Sequence, residues 1–268
     1  MATPTFWKGF LKLSLVTCPV AMMPATTQAE KIRFHTLNRE TGHRVRAQYV
    51  DSEIHAPVDD DDQVMGYARD GDSYVTFEDE ELDAVALEST RTIDIETFVE
   101  DGSIGWLWYD TPHYLFPNDP VGEEAFAVIR DAMRATGTAG IARLVLYRRE
   151  RAVLVKPDGK GMVVWTLRYG NEVRPADEAF AAIDPVKPEA AAMKLVQSLI
   201  AERSQPWSAD LVKDPVQAEL KKIIAAKKKG RARPAPPPPA EAPGNVIDIM
   251  DALKRSLKAE EGSGKRGK

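Results

Sequence analysis

Short β-rich segments separated by turn residues dominate residues 5–180. Apolar Trp7 and Leu11 alternate with Lys8 and Lys12, which predicts a half-buried strand near the start. Asp158-Gly159-Lys160-Gly161 stands between two later segments, an arrangement typical of a β-hairpin. Further strands are predicted at 31–37, 43–50, 73–77, 91–99, 106–116, 141–147, 151–157 and 162–169. Many short strands with long loops favour a barrel or a sandwich over a parallel α/β sheet.

Helical patterns interrupt this region and then replace it. A short helix is predicted at 79–87, and a longer one at 122–136 with Gly137 as its C-cap. Apolar residues at helical spacing predict another helix at 188–203. A last one begins at Asp214-Pro215, an N-cap followed by a favoured first-turn proline. The sequence therefore predicts a mainly β core followed by a helical region.

The composition changes again after Gly230. Residues 231–244 are rich in proline and alanine, which predicts an extended linker. A short helix is predicted at 245–258, and a basic, flexible tail is predicted at 262–268. The expected domains are a core at 1–185, a helical region at 186–230, and the linker, short helix and tail at 231–268.

No residue pattern in the chain is typical of an active site or a metal site. Neither His35, His43, His55 nor His113 has metal-ligand spacing to another histidine or to a cysteine. The acidic run at 59–62 is expected to be a solvated loop, because no calcium-loop spacing follows it. Cys18 is the single cysteine and is expected to be a small core residue, without any disulfide or cysteine-based zinc site. We therefore expect no catalytic residue, no metal and no cofactor.

No stretch of the chain reaches the roughly 18 apolar residues that span a bilayer. A single cysteine suits a reducing compartment. We therefore expect no membrane partner and a cytoplasmic location.

The charge of the chain is segregated along its length, although the net charge is −5. Residues 1–100 carry nine basic and 19 acidic residues, a balance of −10. Residues 185–268 carry 17 basic and 10 acidic residues, a balance of +7. A polyanion responds to local potential, so a basic segment permits DNA binding by an acidic protein.

Two groups of cations are candidates for DNA contact. In an extended strand Lys31 and Arg33 share one face, and Arg44 and Arg46 share a face of the next strand, with Arg39 in the turn between them. The second group surrounds the strands at 141–161 and consists of Arg143, Arg148, Arg149, Arg151, Lys156 and Lys160. Solvated edge charges that deter sheet aggregation explain both groups equally well. Neither group is interleaved with aromatic residues expected to be exposed, which favours duplex-backbone contact over stacking on single strands.

Stretches distributed over almost the whole chain resemble the bacterial Ku family, the prokaryotic relatives of the eukaryotic Ku heterodimer core. The matching stretches are Phe6–Gly9, Ser14–Val16, Pro19-Val20, Ile32–His35 with Leu37, Arg91–Ile95, Phe98-Val99, Tyr114-Leu115 with Pro117, Gly140–Arg143, Thr166–Tyr169, Glu172–Arg174, Asn245–Asp248 and Met250–Leu253. The stretches occur in the family's order, and they are specific as a set rather than singly.

The resemblance implies a fold and a function. It implies an antiparallel β-barrel core with a long dimerisation arm at about 38–90, two copies of which close a ring around double-stranded DNA. The ring would bind DNA ends in non-homologous end joining of double-strand breaks. The protein is expected to be associated with the nucleoid and not to be an enzyme. Lys31, Arg33, Arg39, Arg44 and Arg46 are expected near its inner surface. Lys227, Lys228 and Lys229 are expected to add DNA affinity.

The helical region resembles the part of the family that engages an ATP-dependent DNA ligase with end-processing activities. The candidate ligase contacts are the apolar stripe residues Leu195, Leu199, Leu220, Ile223 and Ile224. Some relatives carry paired cysteines where this chain has Ala47 to Val58, so a zinc-binding arm is not expected here. Two alternatives stay open: a metal-dependent nuclease or hydrolase on a β-barrel, and a nucleoid-type protein that coats DNA through its basic tail.

Overall fold

The computed structural model describes residues 5–229 except 70, 72 and 86–90. The chain divides into two compact units. The first, here the barrel unit, is Met1–Glu30 with Phe34–Pro175, and the second, the C-terminal unit, is Lys31–Arg33 with Ala176–Lys268. Residues 230–268, with the predicted linker, short helix and tail, lie outside the described residues.

Seven strands of the barrel unit form a closed barrel, which confirms the predicted fold class. In chain order the strands are β1 Trp7–Leu13, β2 Val16–Pro24, β3 Met65–Ala68, β4 Tyr74–Phe77, β5 Thr92–Glu100, β6 Tyr109–Pro117, β7 Thr138–Leu146, β8 Arg149–Asp158 and β9 Gly161–Leu167. The barrel order is β1-β2-β6-β9-β8-β7-β5, and β3 and β4 form a separate two-stranded sheet. Neighbouring barrel strands are antiparallel except β1 and β5, which run parallel where the barrel closes.

Side chains of all seven barrel strands fill one core. On β9 the burial alternates, because Met162, Val164 and Thr166 are buried and the residues between them are half-buried. β2 and β8 each bury three consecutive residues, Val20–Met22 and Val153–Val155. β2 was not predicted, and Cys18 lies within it rather than at a strand end, fully buried in the core as expected.

Helix α2, Pro120–Thr136, closes one end of the barrel. Asp119 caps it by accepting a hydrogen bond from Gly122 N at 2.9 Å, and Gly137 ends it with φ 63°, as predicted. Phe126, Ile129 and Met133 are buried in the barrel core.

Residues 34–85, here called the arm, are inserted between β2 and β5. They contain the β3–β4 hairpin and the short helix α1, Asp79–Ala84. None of the described arm residues is buried. The predicted strands at 31–37 and 43–50 are wrong, because only single bridges form there, Leu37 to Arg44 and Val50 to Pro57. Side-chain turns interrupt the pairing, because Asn38 Oδ1 accepts from Glu40 N and Thr41 N, and Asp51 Oδ1 accepts from Glu53 N and Ile54 N.

The described part of the C-terminal unit contains three α-helices, α3 Ala176–Phe180, α4 Ala190–Arg203 and α5 Pro215–Lys228. α4 and α5 confirm the predicted helices, and Asp214 caps α5 by accepting from Gln217 N at 3.0 Å. No described residue of this unit is buried. None of the helices in the described part of the chain is long and apolar enough to cross a bilayer.

Candidate nucleic-acid interface

The first group of predicted cations does not form one row. The backbone N–H of Val45 donates to Thr36 O, and that of Asn38 donates to His43 O, so the hairpin begins at Thr36. Arg39 and Arg44 therefore lie on a short arm hairpin, with Arg46 just beyond it.

Lys31 and Arg33 precede this hairpin and belong to the C-terminal unit. There the backbone N–H of Ile32 donates to Gln217 Oε1 at 3.2 Å. The predicted hairpin displaying all five cations is therefore wrong, because Ile32 bonds to α5 and residues 31–33 pair in no strand.

The arm cations are available to a ligand. Arg39, Arg44 and Arg46 are exposed, and none forms an ion pair with another described residue. Arg44 and Arg46 line a concavity on the arm together with Val45 and Ala47. Such unpaired guanidinium groups suit phosphate oxygens.

Three of the six cations in the second predicted group form ion pairs with carboxylates. Arg143 lies 3.4 Å from both Glu96 and Glu150, and Lys156 lies 2.6 Å from Asp101. Arg148 pairs with Asp83 of α1. These pairs are about half exposed, and exposed ion pairs are weak, so a polyanion can compete for the cations.

The other three members of the group differ from one another. Arg151 lies over the ring of Tyr169, with Cζ 5.3 Å from the ring centroid. Arg149 and Lys160 form no ion pair with any residue that the structure describes.

Strand direction separates this group between the two ends of the barrel. The arm leaves from the end of β2 and returns to the start of β5, so both junctions lie at one end, here called the arm end. The β7–β8 turn, Tyr147-Arg148, lies at the same end because β7 runs antiparallel to β5. Arg148, Arg149 and Arg151 are therefore at or near the arm end.

Lys160 lies at the opposite end, in the β8–β9 turn next to α2. Arg130 Nη1 donates to Lys160 O and Arg134 Nη2 donates to Gly159 O, each at 2.6 Å. Both guanidinium groups also contact Asp131, and they lower the pKa of its carboxyl. These arginines hold the turn against α2.

Exposed aromatic side chains accompany the arginines of the arm end. Tyr147 is 79% exposed, and its ring lies 5.8 Å from that of Phe6. Tyr169 Oη donates to Glu150 O at 2.6 Å. The expectation of a cation group without exposed aromatics is therefore wrong at this end, because Tyr147 sits at the tip of a turn and cannot reach the core.

Below Tyr147 and Phe6 the barrel contains a buried histidine. His113 is 6% exposed, and the ring of Phe6 stacks on it at 5.7 Å. Burial lowers the pKa of His113, because the charged imidazolium loses its hydration. Across the described residues, no group of three or more histidine, cysteine or acidic side chains is placed to hold a metal ion.

The residues predicted to contact the ligase are less exposed than most of the C-terminal unit. Leu195, Leu199, Leu220, Ile223 and Ile224 are all half-buried. Other apolar residues of the unit are exposed and were not predicted as ligase contacts, among them Met193, Ile200, Trp207, Leu211, Val212 and Val216. Trp207 is 74% exposed and lies outside the helical stripes, so spacing could not have identified it.

The predicted lysines Lys227, Lys228 and Lys229 lie at the end of α5, and all three are exposed. Lys227 and Lys228 are in the last helical turn, where positive charge is favourable to the helix dipole.

Comparison with known proteins identifies the family. The family model of the Ku70/Ku80 beta-barrel domain matches residues 12–195. Two proteins named non-homologous end joining protein Ku are similar over nearly their whole length. That of Gluconacetobacter diazotrophicus is 59% identical over 98% of this chain and 100% of its own, and that of Methylocella silvestris is 60% identical over 96% of each. A protein of the same name from Coxiella burnetii is 32% identical, with 97% of this chain and 96% of its own covered.

The match to a solved structure, the SPOC domain of human PHD-finger protein 3, covers 61% of this chain and 95% of that domain at 8% identity, with a TM-score of 0.30. The family model and the relatives agree with the closed barrel: this chain belongs to the Ku family.

Proposed function

We propose that this chain binds the ends of double-stranded DNA, independently of sequence, in non-homologous end joining. The observation that carries the proposal is the end-to-end identity of about 60% to proteins named for this process. Because that identity extends beyond the barrel through the arm and the helices, it supports a shared function as well as a shared fold.

The arm supports assembly as a homodimer. Phe34, Tyr49, Ile54, Tyr67 and Tyr74 expose most of their side chains on it. A monomer that exposes so many apolar residues without a core is expected to bury them against a partner. The β3–β4 sheet also has both edges unpaired within the described residues, and such edges are templates for pairing with another chain. A second copy offers the same surface, so the two arms can close a ring.

Electrostatics support a DNA duplex as the ligand of that ring. Arg39, Arg44 and Arg46 of the arm form no ion pair with another described residue, and neither does Arg149 at the arm end of the barrel. Cations that meet phosphates release counterions, which gives affinity without base readout. If six to ten phosphates are contacted, affinity falls about 10³- to 10⁵-fold between roughly 50 and 200 mM salt.

The C-terminal unit supports the recruitment of an ATP-dependent DNA ligase. Its described helices bury no residue, and Ile200, Trp207 and Val216 expose apolar surface. Small helices of this kind are stabilised when a partner covers them. We propose that this exposed surface, with Leu195, Leu199, Leu220, Ile223 and Ile224 behind it, holds the ligase near the DNA end and raises its effective concentration.

The test of the ring is a comparison of linear with covalently closed DNA of equal length. A preformed ring threads only onto a free end, so we expect tight binding to linear DNA and weak binding to closed DNA. Equal binding to both forms would contradict the proposal. Removal of residues 230–268 tests the coating alternative, since a protein acting only through its tail would lose all DNA affinity.

The nuclease alternative is tested with labelled DNA and Mg²⁺ or Mn²⁺. Cleavage by the purified chain alone would favour it. Sedimentation at micromolar concentration completes the test, because a monomer cannot form the proposed ring.

A further inference from the structure

The β7–β8 turn uses residues that a turn of its geometry disfavours. Leu146 pairs with Arg149, so Tyr147 and Arg148 are the only residues of the loop. Their φ angles are 52° and 63°, the left-handed values that a type I′ turn requires at both positions. Asn-Gly is the preferred pair there, and a bulky side chain in this region is strained.

The barrel core does not require either side chain. Tyr147 remains 79% exposed even though it touches Phe6. The side chain of Arg148 is 62% exposed, and its ion pair with Asp83 is on the surface. Backbone strain that brings no packing in return is typical of residues that serve binding rather than folding.

The position of the turn indicates what that use is. The Arg148–Asp83 pair places the turn beside α1, where the arm returns to the barrel. Arg149 follows directly and forms no ion pair with the described residues. A duplex held between arm and barrel would therefore meet an exposed tyrosine followed directly by two arginines.

We propose that Tyr147, Arg148 and Arg149 form a DNA-contacting turn, an inference that rests on the proposed function above. Arg148 and Arg149 bind backbone phosphates, and the ring of Tyr147 packs against deoxyribose and base edges. Half or more of protein–DNA hydrogen bonds go to the backbone, and arginine is well suited to phosphate. Asp83 holds Arg148 beside the arm until a phosphate competes for it.

The double variant Tyr147→Asn/Arg148→Gly tests this directly, because it installs the preferred turn pair. We expect its thermal stability to equal or exceed that of the parent, since the strain is relieved. Its affinity for linear duplex should fall about tenfold or more. The plot of log affinity against log salt concentration should become shallower, by about one unit of slope for each turn that touches the duplex.

Leu15→Asn is the matched control. Leu15 is exposed in the two-residue β1–β2 turn at the opposite end of the barrel, so this variant should bind like the parent. The single variants Tyr147→Asn and Arg148→Gly divide the effect, and only the second should change the salt slope.

Each result decides between the two proposals. A stable double variant with unchanged affinity and salt slope overturns the DNA-contacting turn, and leaves the ring intact if the parent still prefers linear DNA. A parent that binds closed and linear DNA equally overturns the ring itself. A folded double variant that loses affinity while Leu15→Asn does not supports the turn.

Discussion

The barrel and the arm are parts of one chain with opposite relations to solvent. The barrel turns apolar side chains of seven strands and α2 into a single core, whereas no described residue of the arm is buried. Hydrophobic burial is the dominant favourable contribution to folding, so the barrel can stabilise itself and the arm cannot. Large apolar residues on an element without a core are better explained by a partner than by the fold. We therefore expect substitutions in the barrel core to act on stability, and substitutions in the proposed arm interface to act on assembly.

The largest difference in barrel stability is expected when a phenylalanine is replaced by alanine in each of the two regions. Phe126 is 1% exposed in the barrel core, and Phe34 is 70% exposed on the arm. Phe126→Ala should destabilise the barrel by about 3–5 kcal/mol, because it removes a buried ring and leaves a cavity. Phe34→Ala should change barrel stability by less than about 0.5 kcal/mol. Urea unfolding followed by tryptophan fluorescence measures both, and similar losses would contradict the contrast.

A charge on the arm should separate assembly from folding. Tyr67 is exposed on β3, in the sheet proposed to meet a second copy. Tyr67→Glu would bury a carboxylate in that interface, so we expect the dimer dissociation constant to rise about tenfold or more. The barrel should keep its melting temperature. Val128→Glu, an exposed position on α2, is the control and should leave sedimentation unchanged.

Much of the barrel was predictable from sequence, because its strands alternate in and out of one core. α2 was predictable because its apolar stripe ends at a C-cap glycine. β2 was missed where Cys18-Pro19 interrupts a simple pattern, and β3 was missed because Met65–Ala68 lacks β-branched residues. The strands predicted at 31–37 and 43–50 fail for a different reason. Their alternation resembles a half-buried sheet, but side-chain turns at Asn38 and Asp51 leave only a single bridge at each pairing.

The candidate interface was less predictable than the fold. Arginine-rich segments were visible, but the carboxylates that occupy them were not, because Asp83 is far from Arg148 in sequence and Asp101 is far from Lys156. The turn at Tyr147 carries no glycine, proline or asparagine to mark it. Sequence patterns identify charge, whereas tertiary structure decides which charges remain free.

Helix capping gives a smaller test of the same contrast. Asp119 caps α2 on the barrel, and Glu78 forms a capping box with Glu81 at the start of α1 on the arm. Asp119→Ala should cost about 1 kcal/mol, because α2 packs on the core and its unfolding is coupled to the barrel. Glu78→Ala should leave the barrel transition unchanged. Chemical denaturation of both variants measures this, and an equal cost would mean that the arm folds together with the barrel.

The smallest expected effect is on how the melting temperature of the barrel depends on pH. His113 is buried at the arm end of the barrel, and burial lowers its pKa below the ordinary value of 6.5. The unfolded chain therefore takes up a proton before the folded chain does. The contribution of the neutral histidine to stability is complete above about pH 6.5 and is lost as pH falls from there through the lowered pKa. His113→Phe should flatten the fall in melting temperature between about pH 7.5 and pH 5.5, and His43→Asn on the exposed arm should not. An unchanged acid profile in His113→Phe would show that groups elsewhere make the barrel acid-sensitive.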